Sequence, residues 1–203
     1  MDRRKFLKES TLGFIYFISN SKNIFSHENS LEERICNLYF EVDEKFNLSS
    51  NQLLVVNGLE QKIYLVGEKI IKKRYDISTS KYGFGNLGRS YKTPLGIHKI
   101  HAKYGEDAPI GTIFENREEV GICKINPTGR GRVSITSRLM SLEGCEIENK
   151  NTLSRPIYIH GVSNEGLIGK PASHGCIRMR NKDIIKLFDL VEIGTYVYIK
   201  EKI

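Results

Sequence analysis

The sequence predicts a mainly β domain with one or two peripheral α-helices. Three observations lead there. Short β-prone runs separated by turn residues fill the chain from Asn51 onward, and only two stretches carry helical periodicity. The C-terminal "GTYVYIKEKI" alternates as a half-buried strand does.

The chain opens with the basic "MDRRKFLKES", followed by a short apolar run from Leu12 to Ile18. That is the layout of an export signal, too short for a membrane span. Arg3-Arg4 ahead of Lys5, Phe6 and Leu7 follows the twin-arginine export pattern. The alternative is a basic amphipathic helix. No clean small-x-small cleavage site is present, so an uncleaved anchor stays open. Residues 1–29 are expected to be an export signal and linker, placing the protein in the periplasm or cell envelope, with membrane contact only through this segment.

Residues 30–48 are expected to hold a helix. In "SLEERICNLYFEVDEKF", Leu31, Ile35, Leu38, Val42 and Phe46 share a face, and Ser30 with Glu33 forms a capping-box pattern. So short a helix is marginal alone in water, so it should pack on the main domain. From residue 51 to 203 the texture changes. Leu53 to Val56, Lys62 to Val66 and Ile70 to Ile77 read as strands, punctuated by Asn57-Gly58 and Gly67. A Gly-rich loop "KYGFGNLGRSYKTPLG" follows, then a strand from Ile97 to His101 and further turns and short strands. Arg155 to Ile159 is expected as a strand delivering His160 to its end, where Gly161 releases the chain into a loop. Asp183 to Val191 reads as a helix with Asn181 as its cap.

A length of 203 residues suits one ordinary domain with a short extra segment, and 39% hydrophobic against 27% charged residues marks a globular chain. The formal net charge of +7 suits an anionic partner: nucleic acid, a membrane face or an anionic cell wall. No arginine-rich run interleaved with aromatics appears, which argues against nucleic acid. None of the four cysteines forms a C-x-x-C pair, which argues against a zinc ribbon or a thioredoxin-type site. Cys123 and Cys145 are candidates for a bridge in an oxidising compartment. His98 and His101 are spaced H-x-x-H, but three residues along a strand separates them onto opposite faces, so no metal is expected. "YGFGNLG" lacks the lysine-serine/threonine ending of a phosphate loop and leads into no helix.

The stretch "IYIHGVSNEGLIGKPASHGCIRM", Ile157 to Met179, holds the reactive residues. A thiol attacks a carbonyl as thiolate, so Cys176 needs a base or a positive field. His160 and His174 are both candidate bases, and Arg178 adds a fixed charge two residues from the thiol. Gly175 permits a sharp bend that could aim the amides of Gly175 and Cys176 at one point, as an oxyanion hole requires. Strand alternation puts Tyr158 on the face of the same cleft. The plain alternative is a small buried thiol beside a turn histidine.

This segment, continued through "RNKDIIKLFDLVEIGTYVYI", resembles the C-terminal core of the L,D-transpeptidase catalytic domain of bacterial cell-wall enzymes, the YkuD type. It supplies His160-Gly161, Gly169 and then Ser173-His174-Gly175-Cys176-Ile177-Arg178 without departure from the family signature. Upstream, Thr93-Pro94-Leu95-Gly96 resembles the family's "TP-x-G" turn, and the likeness runs from about Asn51 to Lys200. The resemblance implies a mixed β-sandwich or barrel-like fold and a Cys-His pair that performs acyl transfer without a cofactor. It implies Cys176 as nucleophile, His160 as general base and the Gly161 carbonyl as orienter of the base. It places Ser173, His174 and Gly175 in the pocket and oxyanion hole, with Arg178 supporting the loop or meeting a substrate carboxylate. The implied donor is a peptidoglycan tetrapeptide stem. Acceptors would be the amine of a second stem, water, or a lysine of an outer-envelope lipoprotein.

Overall fold

The first two apolar runs after Asn51 become strands that are buried on both faces. The structure is a computed structural model that describes residues 30–48 and 51–203. The expected export signal lies outside the described residues. In β1 (Gln52–Asn57), Leu54 and Val56 enter the main core, while Leu53 and Val55 face a second core under the N-terminal helix. This two-sided burial explains why "LLVV" is continuous rather than alternating. β2 (Lys62–Gly67) and β3 (Ile70–Ser78) continue an antiparallel meander. The β2–β3 turn is made by Glu68 and Lys69, both at positive φ, with Gly67 ending the strand before it. Positive φ at both central residues is the hairpin geometry whose twist matches the flanking strands.

The remaining strands are β4 (Gly96–Tyr104), β5 (Thr112–Glu115), β6 (Glu118–Ile122), β7 (Ile135–Gly144), β8 (Tyr158–Val162), β9 (Ile177–Met179) and β10 (Tyr196–Lys200). The sheet order is β4-β10-β1-β2-β3-β9-β8-β7-β5-β6, and β7 also pairs with β4. That second pairing closes eight strands into a ring and leaves the β5–β6 hairpin beside it. Two pairs are parallel, β1 with β10 and β8 with β9; the other pairs are antiparallel.

Helix α1 (Leu31–Phe46) buries Ile35, Leu38, Tyr39 and Val42 against the outer face of β1 and β2, with Leu31 and Phe46 partly covered. Helix α2 (Asn181–Leu190) sends Ile184, Leu187 and Phe188 into the main core. Its start differs from expectation. Arg180 is the residue before the helix, and its side chain makes no capping bond. Asn181 is already helical, because its buried side chain is committed to bonds elsewhere.

β8 also departs from expectation. Residues 151–156 form turns, and the strand begins at Tyr158, so His160 is its third residue and Gly161 continues it. The neighbouring strands explain the shift. β7 and β9 flank β8 and carry its ladder through Gly161. A side chain at 161 would collide with the Thr136 carbonyl of β7 and reach 2.9 Å from Asn181 Oδ1. Glycine is therefore needed here for close approach rather than for release into a loop. His98 and His101 do face opposite sides: His98 is fully buried, while His101 is exposed beside Glu143. All four cysteines are free thiols.

Candidate active site

The site grows out of the parallel β8–β9 pair. Ile159 pairs with Ile177, His160 with Arg178 and Gly161 with Met179. Ile159, Ile177 and Met179 are buried in the main core. Alternation then turns Tyr158, His160 and Arg178 to the other face, together with Cys176, which immediately precedes β9. Parallel neighbours need a crossover connection, which accounts for the long gap between histidine and cysteine. His160, Ser173, His174, Cys176, Arg178 and Ile135 line one cleft of about 160 Å³. Tyr158 lines a second cleft of about 420 Å³ that meets the first at Ile135.

His160 is held by its own strand. Its Nδ1 lies 2.6 Å from the Gly161 carbonyl oxygen. A carbonyl only accepts, so the Nδ1–H donates and Nε2 is left as the basic nitrogen. Burial pushes the imidazole down to about 4; the Gly161 bond opposes this and the Arg178 charge adds to it. The Cys176 Sγ lies 3.6 Å from the Pro156 carbonyl oxygen. Burial raises the thiol above its ordinary value, against the Tyr158 backbone bond and the charges of Arg178 and Arg155. Both shifts favour neutral groups, so at rest the site holds a thiol and a neutral imidazole.

The turn ahead of Cys176 is tied on every side. The Ser173 hydroxyl donates to the Cys176 carbonyl at 2.6 Å, and the Gly175 N–H donates to Ser173 Oγ at 3.2 Å. The Gly175 amide is thus engaged within the turn rather than free. Gly175 has φ of +126°, which L side chains avoid, and a Cβ there would lie 3.0 Å from Ile157 Cδ1. Thr93, in the Thr-Pro turn, donates its hydroxyl to the Gly175 carbonyl at 3.0 Å and accepts the Ser80 N–H at 3.0 Å. Arg178 donates to the Ala172 carbonyl at 3.2 Å. His174 is exposed, its ring lying 5.6 Å from that of Tyr82 and 5.9 Å from that of Tyr91.

The family model for the L,D-transpeptidase catalytic domain matches residues 51–199, nearly three quarters of the chain. The chain belongs to the L,D-transpeptidase catalytic domain family. Among relatives, YqjB of Bacillus subtilis (strain 168), which carries an L,D-transpeptidase name, is 42% identical over 172 residues, covering 82% of this chain and 84% of that protein. YkuD of the same organism is 53% identical over 49 residues, a match spanning 24% of this chain and 30% of that protein. Among solved structures, Bd1075 of Bdellovibrio bacteriovorus has a TM-score of 0.50 at 18% identity, covering 75% of this chain and 49% of that one. The family acts on peptidoglycan peptides. Among the described residues no helix is long and apolar enough to cross a membrane.

Three residues of this L,D-transpeptidase domain escaped the sequence reading as parts of the site. Thr93 was visible only as a member of a turn. Arg155 donates to the carbonyls of Gly85 (3.2 Å) and Lys92, seventy and sixty-three positions away, so no local pattern marks it. Asn181 lies behind Gly161. Its Oδ1 accepts the hydroxyls of Thr136 (2.7 Å) and Ser137 (2.6 Å), and its Nδ2 donates to the Val162 carbonyl (2.8 Å) and to Glu165 (2.7 Å). Asn181→Ala strips these buried groups of partners together. It is expected to destabilise the domain by about 3 kcal/mol, on the scale of a lost buried polar network. Thermal unfolding would show this as a drop of roughly 10 °C; a drop under about 2 °C would contradict the assignment.

Proposed function

We propose that this domain is a cysteine-dependent L,D-transpeptidase that acylates Cys176 with a peptidoglycan tetrapeptide stem and transfers it to an amine. The observation that carries the reading is the placement of Cys176 and His160 in one cleft, with His160 Nδ1 on the Gly161 carbonyl and Nε2 left as base.

In the first half-reaction His160 Nε2 takes the Cys176 proton as sulfur attacks the carbonyl between the diamino acid and the terminal D-alanine. The C–N bond then breaks, the imidazolium gives its proton to the departing amine, and D-alanine leaves a thioester on Cys176. In the second half-reaction His160 removes a proton from the acceptor amine, which attacks the thioester and restores the thiol. A second stem as acceptor gives a 3→3 cross-link. Water would make the enzyme an L,D-carboxypeptidase, and a lipoprotein lysine would make it an anchoring enzyme.

The developing oxyanion falls to the amides of the Gly175–Cys176 bend, which requires the Gly175 N–H to leave Ser173 Oγ. Arg178 holds the loop through Ala172. His174 and Ser173 shape the pocket, and Tyr158 supports its neighbour cleft. The net charge of +7 suits an anionic wall, and the twin-arginine pattern of Arg3-Arg4 would carry the protein to the periplasm or cell envelope.

Incubation with purified disaccharide-tetrapeptides is expected to release D-alanine and to give a cross-linked dimer by mass spectrometry. Release without dimer would redirect the reading to the carboxypeptidase. No release by folded protein would leave a wall-binding scaffold.

A further inference from the structure

We propose that the cleft of about 390 Å³ lined by Arg89, Tyr91, Asn151, Arg155, Pro156 and His174 binds the C-terminal residue of the donor peptide through its free carboxylate, with Arg155 as the group that reads it. The inference rests on the transpeptidase reading and adds to it a specificity site.

Four observations converge on this cleft. First, it adjoins the thiol. It shares His174 with the Cys176 cleft, and Pro156, whose carbonyl oxygen lies 3.6 Å from Cys176 Sγ, is part of its wall. Second, its charge is of one sign. Arg89 and Arg155 line it, and no acidic side chain does. Third, the Arg155 guanidinium is half-buried and satisfied only by neutral carbonyls, those of Gly85 and Lys92. No carboxylate lies within ion-pair distance of it among the described residues. A guanidinium bonded only to neutral carbonyls keeps its charge uncompensated, and its planar fork suits a carboxylate. Fourth, Asn151 Oδ1 is buried and accepts no hydrogen bond, while its Nδ2 donates to the Asn86 carbonyl at 2.8 Å. An orphaned buried acceptor is costly and calls for an N–H donor.

Arg155 asks for an anion and Asn151 for an N–H donor, both in the wall of a cleft that adjoins the attacking sulfur. A C-terminal amino-acid residue in amide linkage offers both. Its carboxylate carbon is three bonds from the attacked carbonyl carbon, so the two lie within about 4 Å of each other by covalent geometry. A carboxylate bound by Arg155 therefore sets the scissile carbonyl at the thiol. A donor extended by one more residue, or ending in a carboxamide, would leave the guanidinium desolvated and unpaired. The cleft thus measures peptide length by charge.

The test compares a synthetic stem tetrapeptide with its C-terminal carboxamide in two assays. Binding is measured by calorimetry on Cys176→Ala, and turnover is measured on the wild-type protein. The acid is expected to bind about 30-fold tighter than the amide, in the range of one lost charge-assisted contact. Arg155→Gln should reduce that ratio below about threefold, and Arg89→Gln, at an exposed position, should reduce it by a smaller factor. Equal binding of acid and amide overturns the proposal without recourse to any arginine variant. An undiminished ratio in a folded Arg155→Gln protein overturns it as well. Discrimination in binding with no D-alanine release by the wild type would keep the subsite and remove the transpeptidase reading. Release with no discrimination would do the reverse.

Discussion

Cys176→Ala is expected to lower D-alanine release from a tetrapeptide stem by about 10⁴-fold or more, and His160→Ala to do nearly as much. The reason lies in the resting protonation states. Burial raises the Cys176 thiol, so little thiolate exists at neutral pH without a base. Burial also keeps His160 neutral, and its Nδ1–H is committed to Gly161, so Nε2 is the acceptor that the thiol requires. Residues that act as a unit are non-additive, so the double variant should be scarcely worse than either single one. His174→Ala is expected to cost less than tenfold, because that ring is exposed against Tyr82 and Tyr91 rather than anchored to a carbonyl. Rates of D-alanine release measured by chromatography would separate these cases. A His160→Ala protein with more than a tenth of wild-type activity would transfer the base to another group.

Stability is expected to fall steeply as pH drops from about 6.5 towards 4. His98 and His160 are both pushed down to about 4 by burial. His98 lies between the Gly96 carbonyl and the Thr152 hydroxyl, fully buried. In the unfolded chain each imidazole takes up its proton near 6.5, whereas in the folded chain it does so only near 4. Between those values the unfolded state binds more protons, so stability is full above the upper value and is lost as pH falls through the window. At pH 5 the loss is roughly 2 kcal/mol per histidine, or about 10 °C in the midpoint of thermal unfolding for both together. Asp76, Glu143 and Glu146, each held below the ordinary carboxylate value, add losses at still lower pH. Urea unfolding at pH 7.5, 6 and 5 tests this, and His98→Gln should remove about half of the slope. A flat profile from pH 7.5 to 5 would show that the two rings do not stay neutral in the fold.

The legible parts of the fold are those where burial and pattern agree. The β1–β2–β3 meander, α1, α2 and the last strand all announce themselves by apolar spacing and turn residues. The closure of the ring does not, because β7 carries it. In β7, Thr136, Ser137 and Arg138 are buried, Ser137 stands at positive φ, and the pairing with β8 slips between Thr136 and Leu139. A buried polar run with a bulge reads only as turns and short strands from sequence, since its partners are supplied by Asn181, Gly111 and Ala108 from elsewhere in the chain. The same contrast runs through the site. His160 and Cys176 stand in a recognisable signature. Thr93 and Arg155 are tied to backbone carbonyls distant in sequence, and such contacts leave no local trace. The sequence ends the strand at His160 because Gly161 suggests conformational freedom, whereas its neighbours need it for its lack of a side chain.

The intact mass of the protein, quenched in acid during turnover of a tetrapeptide stem, tests the nucleophile most directly. One adduct of the shortened stem per chain is expected, located on Cys176 by peptide mapping and absent from Cys176→Ala. The same adduct on the Cys176→Ala protein would contradict it.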